Sequence, residues 1–172
     1  MKKLLIAFLL AASVCSAQVY DLGGGHVNQT PKTFVQAQRS GNVTITSETY
    51  TTIVYNSKAY DLNNDYDSGG IFTVPETGYY FVQISMADDG TGSPTRALIT
   101  LEVPTSTGTA SIMYDDRTKT IVDAGPMMPA KSAILYLTKG SKYRVLGYIK
   151  ATVGNPTIVG NIATNLIICR LF

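Results

Sequence analysis

The densest set of oxygen ligands in the chain is Asp61-Leu62-Asn63-Asn64-Asp65-Tyr66-Asp67. Asp61, Asn63, Asp65 and Asp67 alternate, as the oxygen donors of a calcium loop do. An EF-hand register would need Gly where Tyr66 stands and Glu where Phe72 stands, so that motif fails. Two readings remain: a simpler surface calcium site on Asp61, Asp65 and Asp67, or a solvated turn whose Asx side chains cap their own backbone. The turn is the expectation, with calcium the one cofactor left open. Asp88-Asp89 and Asp115-Asp116 are read in the same way, as solvated loop charges.

Nucleophilic and acid–base chemistry has little to work with. The single histidine, His26, lies in a Gly-rich leader, which removes Ser-His-Asp and Cys-His arrangements and paired-histidine zinc sites from the scaffold. Carboxylates alone can hydrolyse glycosides, but the expectation is a protein that binds and is not an enzyme. Of the two cysteines, Cys15 falls in the N-terminal apolar segment, so no intrachain disulfide forms once that segment is removed. Cys169, after Leu166-Ile167-Ile168, reads as a buried, inert thiol. Asn28-Gln29-Thr30 and Asn42-Val43-Thr44 match the N-glycosylation pattern, and Pro31 weakens the first.

Residues 1–17 read as a signal peptide: Lys2-Lys3, an apolar run from Leu4 to Val14, then Cys15-Ser16-Ala17. Val14 before Cys15 argues against a lipoprotein, and no other apolar run is long enough to span a bilayer. Residues 18–32, with Gly23-Gly24-Gly25 and Pro31, read as a flexible arm, and residues 33–172 as one domain. The chain has 14 basic and 12 acidic residues, and losing Lys2 and Lys3 balances them. A neutral domain gives no support to nucleic-acid binding, which depends on neutralising phosphates.

Short β-prone runs separated by turn residues fill the domain, and no segment has a helical period. The strand candidates are 33–38, 43–47, 50–56, 71–74, 79–86, 96–103, 110–114, 120–124, 133–137, 143–151 and 162–172. Breakers fall at Gly41, Gly69-Gly70, Pro94, Pro104, Gly108, Pro126, Pro129, Gly140 and Pro156. About ten strands at this spacing predict an all-β, ten-stranded antiparallel jelly-roll sandwich. Tyr80, Val82, Ile84 and Met86 share one apolar face, and Tyr79, Phe81, Gln83 and Ser85 a mixed one. Gly78, after Pro75-Glu76-Thr77, is expected to take the positive φ that returns the chain. The 11 tyrosines suit strands and binding surfaces alike, with Tyr136, Tyr143 and Tyr148 expected in core or interface.

The order Tyr55, Asp61, Tyr66, Phe72, Gly78 and Tyr80 around a GG and a PxxGYY turn resembles the globular head domain of complement C1q. Phe34 with Ala37-Gln38-Arg39 resembles that family's first strand, and Leu166 to Phe172 its closing strand. Val82 and Ile84 depart from it, standing where the family carries aromatics. The resemblance implies a secreted, extracellular homotrimer of the wider C1q and tumour-necrosis-factor superfamily, without a collagen stalk. Its trimer would be built on the sheet holding the opening and closing strands and the Gly-Tyr-Tyr strand, with Tyr80 in core or interface and Phe172 closing the sheet. The implied partners are the chain itself and an extracellular protein or carbohydrate; relatives also bind calcium near the trimer apex. The expected function is recognition of glycans, microbial surfaces or receptors through exposed loops. The alternative is a structural, matrix or adhesive trimer without a small-molecule ligand.

Overall fold

The computed structural model describes residues 33–105, 108–120 and 125–171. The signal segment 1–17, the arm 18–32, His26, Asn28 and Phe172 lie outside the described residues. Twelve β elements follow one another: β1 (Phe34–Gln38), β2 (Val43–Thr44), β3 (Thr51–Thr52), β4 (Ser57–Asp61), β5 (Ile71–Thr73) and β6 (Gly78–Ser85). They continue as β7 (Pro94–Thr105), β8 (Gly108–Thr118), β9 (Ala130–Leu137), β10 (Lys142–Ala151), β11 (Thr157–Ile158) and β12 (Asn165–Arg170). Among the described residues there is no helix.

Two five-stranded sheets carry the fold. The first has the order β4-β1-β12-β6-β9; the second runs β3-β10-β7-β8, with β5 also paired to β10. All pairings are antiparallel, and β2 and β11 form a small separate ribbon. The opening and closing strands therefore lie side by side at the centre of the first sheet, Phe34 opposite Cys169 and Gln38 opposite Asn165. This is the expected jelly-roll sandwich, its ten sheet strands supplemented by the ribbon.

Strand alternation builds the core. Tyr80, Val82, Ile84 and Met86 point inward and are fully buried, meeting Ile99, Leu101, Val145 and Ile149 of the facing sheet. Each such side chain, taken fully out of water, stabilises by roughly 1.5–3 kcal/mol before entropy is counted. Gly147 lets β10 come close: an added Cβ would meet Met86 Sδ at 2.6 Å and Ile53 Cδ1 at 2.8 Å.

Several boundaries differ from the sequence reading. Residues 57–61, SKAYD, form an edge strand that no apolar alternation announces, because most of it is exposed. Pro94 and Pro104 do not break β7. Pro94 opens it, and Pro104 lies beyond Glu102, the last residue paired to β10, where one edge is open and a missing N–H is tolerated. The closing strand starts at Asn165, not at 162: Ile162 is exposed in a turn closed by the Thr164 amide donating to the Asn161 carbonyl at 3.0 Å. Thr120 is not in a strand, and the rest of the 120–124 candidate lies outside the described residues. Gly78 does not hold a left-handed turn. It is already paired with Leu137 in β6, and positive φ falls instead at Gly70, at 86°.

Candidate functional site

The aromatics Tyr55, Tyr66, Phe72 and Tyr80 lie buried in the core as two ring pairs. Tyr55 and Tyr66 rings lie 6.4 Å apart, and Phe72 meets Tyr80 edge-on at 6.2 Å across the two sheets. Their hydroxyls are used internally. The Tyr55 amide donates to the Tyr66 hydroxyl oxygen at 2.9 Å, Tyr55 donates to the Ser85 carbonyl at 3.2 Å, and Tyr80 to the Glu76 carbonyl at 2.6 Å. Burial pushes the Tyr55 phenol well up, and pushes the Tyr66 phenol up to about 12. These groups stay protonated and structural.

Asp61 serves the same motif. Its carboxylate accepts from the Asp65 amide at 2.9 Å and pairs with Lys58 at 2.7 Å, while Lys58 also donates to the Tyr66 carbonyl at 2.9 Å. Asp67 accepts from the amides of Gly69 and Ile71 at 2.8 and 2.9 Å, and Asp65 from the Asn63 side chain at 3.3 Å. Burial is the main cause raising the Asp65 carboxyl. Asp61 and Asp67 thus cap their own loop while Asp65 pairs with Asn63, and among the described residues no three His, Cys, Asp or Glu side chains stand together as a metal site. Of the two sequons only Asn42 is described: it is exposed, and its side-chain oxygen accepts from the Gly160 amide at 3.0 Å.

Asp89 is the exposed loop charge expected, whereas Asp88, Asp115 and Asp116 differ from that reading. Asp88 is only 2% exposed and ties two loops together, accepting from the Gly90 and Met127 amides at 2.7 and 2.8 Å. Burial raises its carboxyl, and those two bonds partly offset the shift. Asp115 and Asp116 lie in β8, not in a loop, and pair with Arg117 at 2.7 Å and Arg96 at 2.6 Å. The neighbouring guanidinium holds Asp116 below the usual carboxylate range.

The outer face of the first sheet is apolar at one end and polar at the other. Across four strands run Phe34, Cys169, Phe81 and Ile134, with the Tyr60 ring 5.6 Å from Phe34. Beside this row Tyr79 stands opposite Tyr136. Ile134 is 63% exposed, Tyr136 62% and Tyr79 44%. Further along the strands the row becomes Gln36, Ile167, Gln83 and Ser132, then Gln38, Asn165, Ser85 and Ala130. Cys169 is buried, as expected, but it faces this outer side, since Leu166 and Ile168 take the core positions. Along β6 alone Tyr79 and Phe81 belong to a mixed face; the patch emerges only when β1, β12 and β9 are laid beside them.

The outer face of the second sheet holds a cleft that sequence reasoning missed. Glu102 of β7 stands opposite Arg144 of β10, and Tyr50, Thr52 and Leu146 complete a cavity of about 440 Å³. Glu102 is 6% exposed, and both its Oε2 and Arg144 Nε are buried without a hydrogen-bond partner. A β-bulge falls at this point, where Leu101 faces Met113, Glu102 faces Ser111 and Ile112 is left over. The usable sequence signal was a lone Glu within the apolar run of residues 97–103.

No family model matches the chain, and no curated protein matches its sequence. Solved structures do match. The structure of Eiger TNF from S. frugiperda aligns with a TM-score of 0.64 at 14% identity, covering 83% of this chain and 94% of that one. The globular domain of zebrafish complement 1qA aligns at 0.57 and 16% identity, covering 82% and 98%. Murine APRIL at pH 5.0 aligns at 0.60 and 10% identity, covering 81% and 98%. With two five-stranded antiparallel sheets and adjacent opening and closing strands, the chain has a jelly-roll fold like that of these C1q and TNF-type structures.

Proposed function

We propose that the chain is a secreted recognition module that assembles as a homotrimer through the outer face of its first sheet and acts by binding, without catalysis. The observation that carries this reading is the contiguous apolar row of half-buried Phe34 and Phe81 with exposed Ile134, Tyr60, Tyr79 and Tyr136. Soluble monomers rarely leave such a surface open, and self-association through a repeated patch is the commonest way to cover it. The occupant proposed is a second copy of the chain, and the number three follows from the family resemblance. Secretion rests on the signal-type segment at residues 1–17. Among the described residues no helix is long and apolar enough to cross a membrane.

Trimerisation would present each exposed loop three times, so modest single-site affinity becomes useful avidity. The direct test is the solution mass of the purified protein, with Ile134→Lys as the disrupting variant. A glycan and protein array then separates recognition from a structural role. Ligand capture supports the module, whereas silence together with assembly beyond trimers supports a matrix component.

A further inference from the structure

We propose that the cleft on the outer face of the second sheet binds one ring of a neutral saccharide, held by Glu102 and Arg144 through its vicinal hydroxyls. The inference rests on the reading of the chain as a binding module, but on a different sheet from the one proposed for self-association.

Glu102 and Arg144 are direct partners across β7 and β10. Buried polar atoms in folded proteins are nearly always paired, and a charged group left without a partner costs more than a neutral one. Here an acceptor, Glu102 Oε2, and a donor, Arg144 Nε, are both buried and unpaired, in two side chains that line one cavity. The Glu102 side chain is among the few buried charged groups of the domain. The bulge beside Glu102 is a second, independent mark, since bulges re-aim side chains and gather next to functional sites.

The chemistry of the pair selects the ligand. An anion would be repelled by Glu102 and a cation by Arg144, so their opposite charges favour a ligand without net charge. A hydroxyl can donate to the Glu102 carboxylate, and its neighbour can accept from the Arg144 guanidinium. Two adjacent hydroxyls of a pyranose offer one partner to each group. A small zwitterionic amino acid pairs both charges but offers no extended C–H face to the apolar part of the cavity, so it fits less well. The exposed Tyr50 ring and the Leu146 side chain line the same cavity and offer an apolar surface to the C–H face of the sugar. A volume of about 440 Å³ lies in the range of small-ligand sites.

The test is saturation-transfer NMR on the full protein with methyl glucoside, methyl galactoside and methyl mannoside, their deoxy analogues, and glycine as a zwitterionic competitor. At least one hexoside is expected to bind saturably at millimolar concentration. Its affinity should fall about tenfold or more in Glu102→Gln, in Arg144→Met, and for the analogue lacking one vicinal hydroxyl. Melting and solution mass verify that each variant is folded, and if one fails to fold the other decides. Absence of binding by all hexosides, binding that both variants leave intact, or displacement by glycine would each overturn the proposal. None of these results touches self-association, which the solution mass reports separately.

Discussion

Tyr79 and Tyr136 meet edge to face across β6 and β9, their ring centroids 5.1 Å apart, on the open side of the first sheet. Two large aromatics placed side by side at the surface gain from each other, yet still show water much of their apolar area. With Phe81 opposite Ile134 in the next row, they define what the proposed assembly must cover. Ile134→Lys should therefore leave the fold intact and shift the protein toward monomer, read by sedimentation velocity. A variant that keeps the parent's mass would place the contact elsewhere.

Gly147 occupies a core-facing position of β10 where a side chain has no room. Gly147→Ala should cost about 1–3 kcal/mol, because Met86 and Ile53 must both move. Urea unfolding is the measurement, and an unchanged midpoint would mean that the sheets are less closely packed than described.

The Tyr66 hydroxyl accepts the buried Tyr55 amide. Removing it in Tyr66→Phe strands that donor, with an expected loss of about 1–3 kcal/mol. Tyr60→Phe, on the exposed edge strand β4, is the control and should lie within about 0.5 kcal/mol of the parent.

Asp88 gives a pH dependence of definite sign. Burial raises its carboxyl above the unfolded value of about 3.9, so the folded state holds that proton more tightly. The resulting stability is present in full below the unfolded value and is lost as the pH rises through the folded one. The stability of the parent relative to Asp88→Asn should thus be greatest in acid and fall toward neutral pH. Urea midpoints at a series of pH values test this, and a difference that grows with pH would show that the two amide bonds outweigh burial.

The fold was legible because its signals are local. In 78–85 the alternation of Tyr80, Val82 and Ile84 with Tyr79, Phe81 and Gln83 specifies a strand and its two faces without reference to any neighbour. Asp67 and Asp61 show their capping roles through spacing alone, since each acts on amides a few residues away. The surfaces were less legible, because each depends on register between distant segments. Phe34, Cys169, Phe81 and Ile134 become one row only once four strands are ordered. Glu102 meets Arg144 in the same way, through the pairing of β7 with β10. Asp88 was misread for a related reason: its carboxylate is held by the Met127 amide, on another loop.

The central claim is that the apolar face of the first sheet is covered by further copies of the chain. Multi-angle light scattering on the purified protein tests it most directly. A single species of three times the chain mass is expected, reduced by Ile134→Lys and unchanged by Cys169→Ser under either redox condition. A stable, soluble monomer with that face open to water would contradict it.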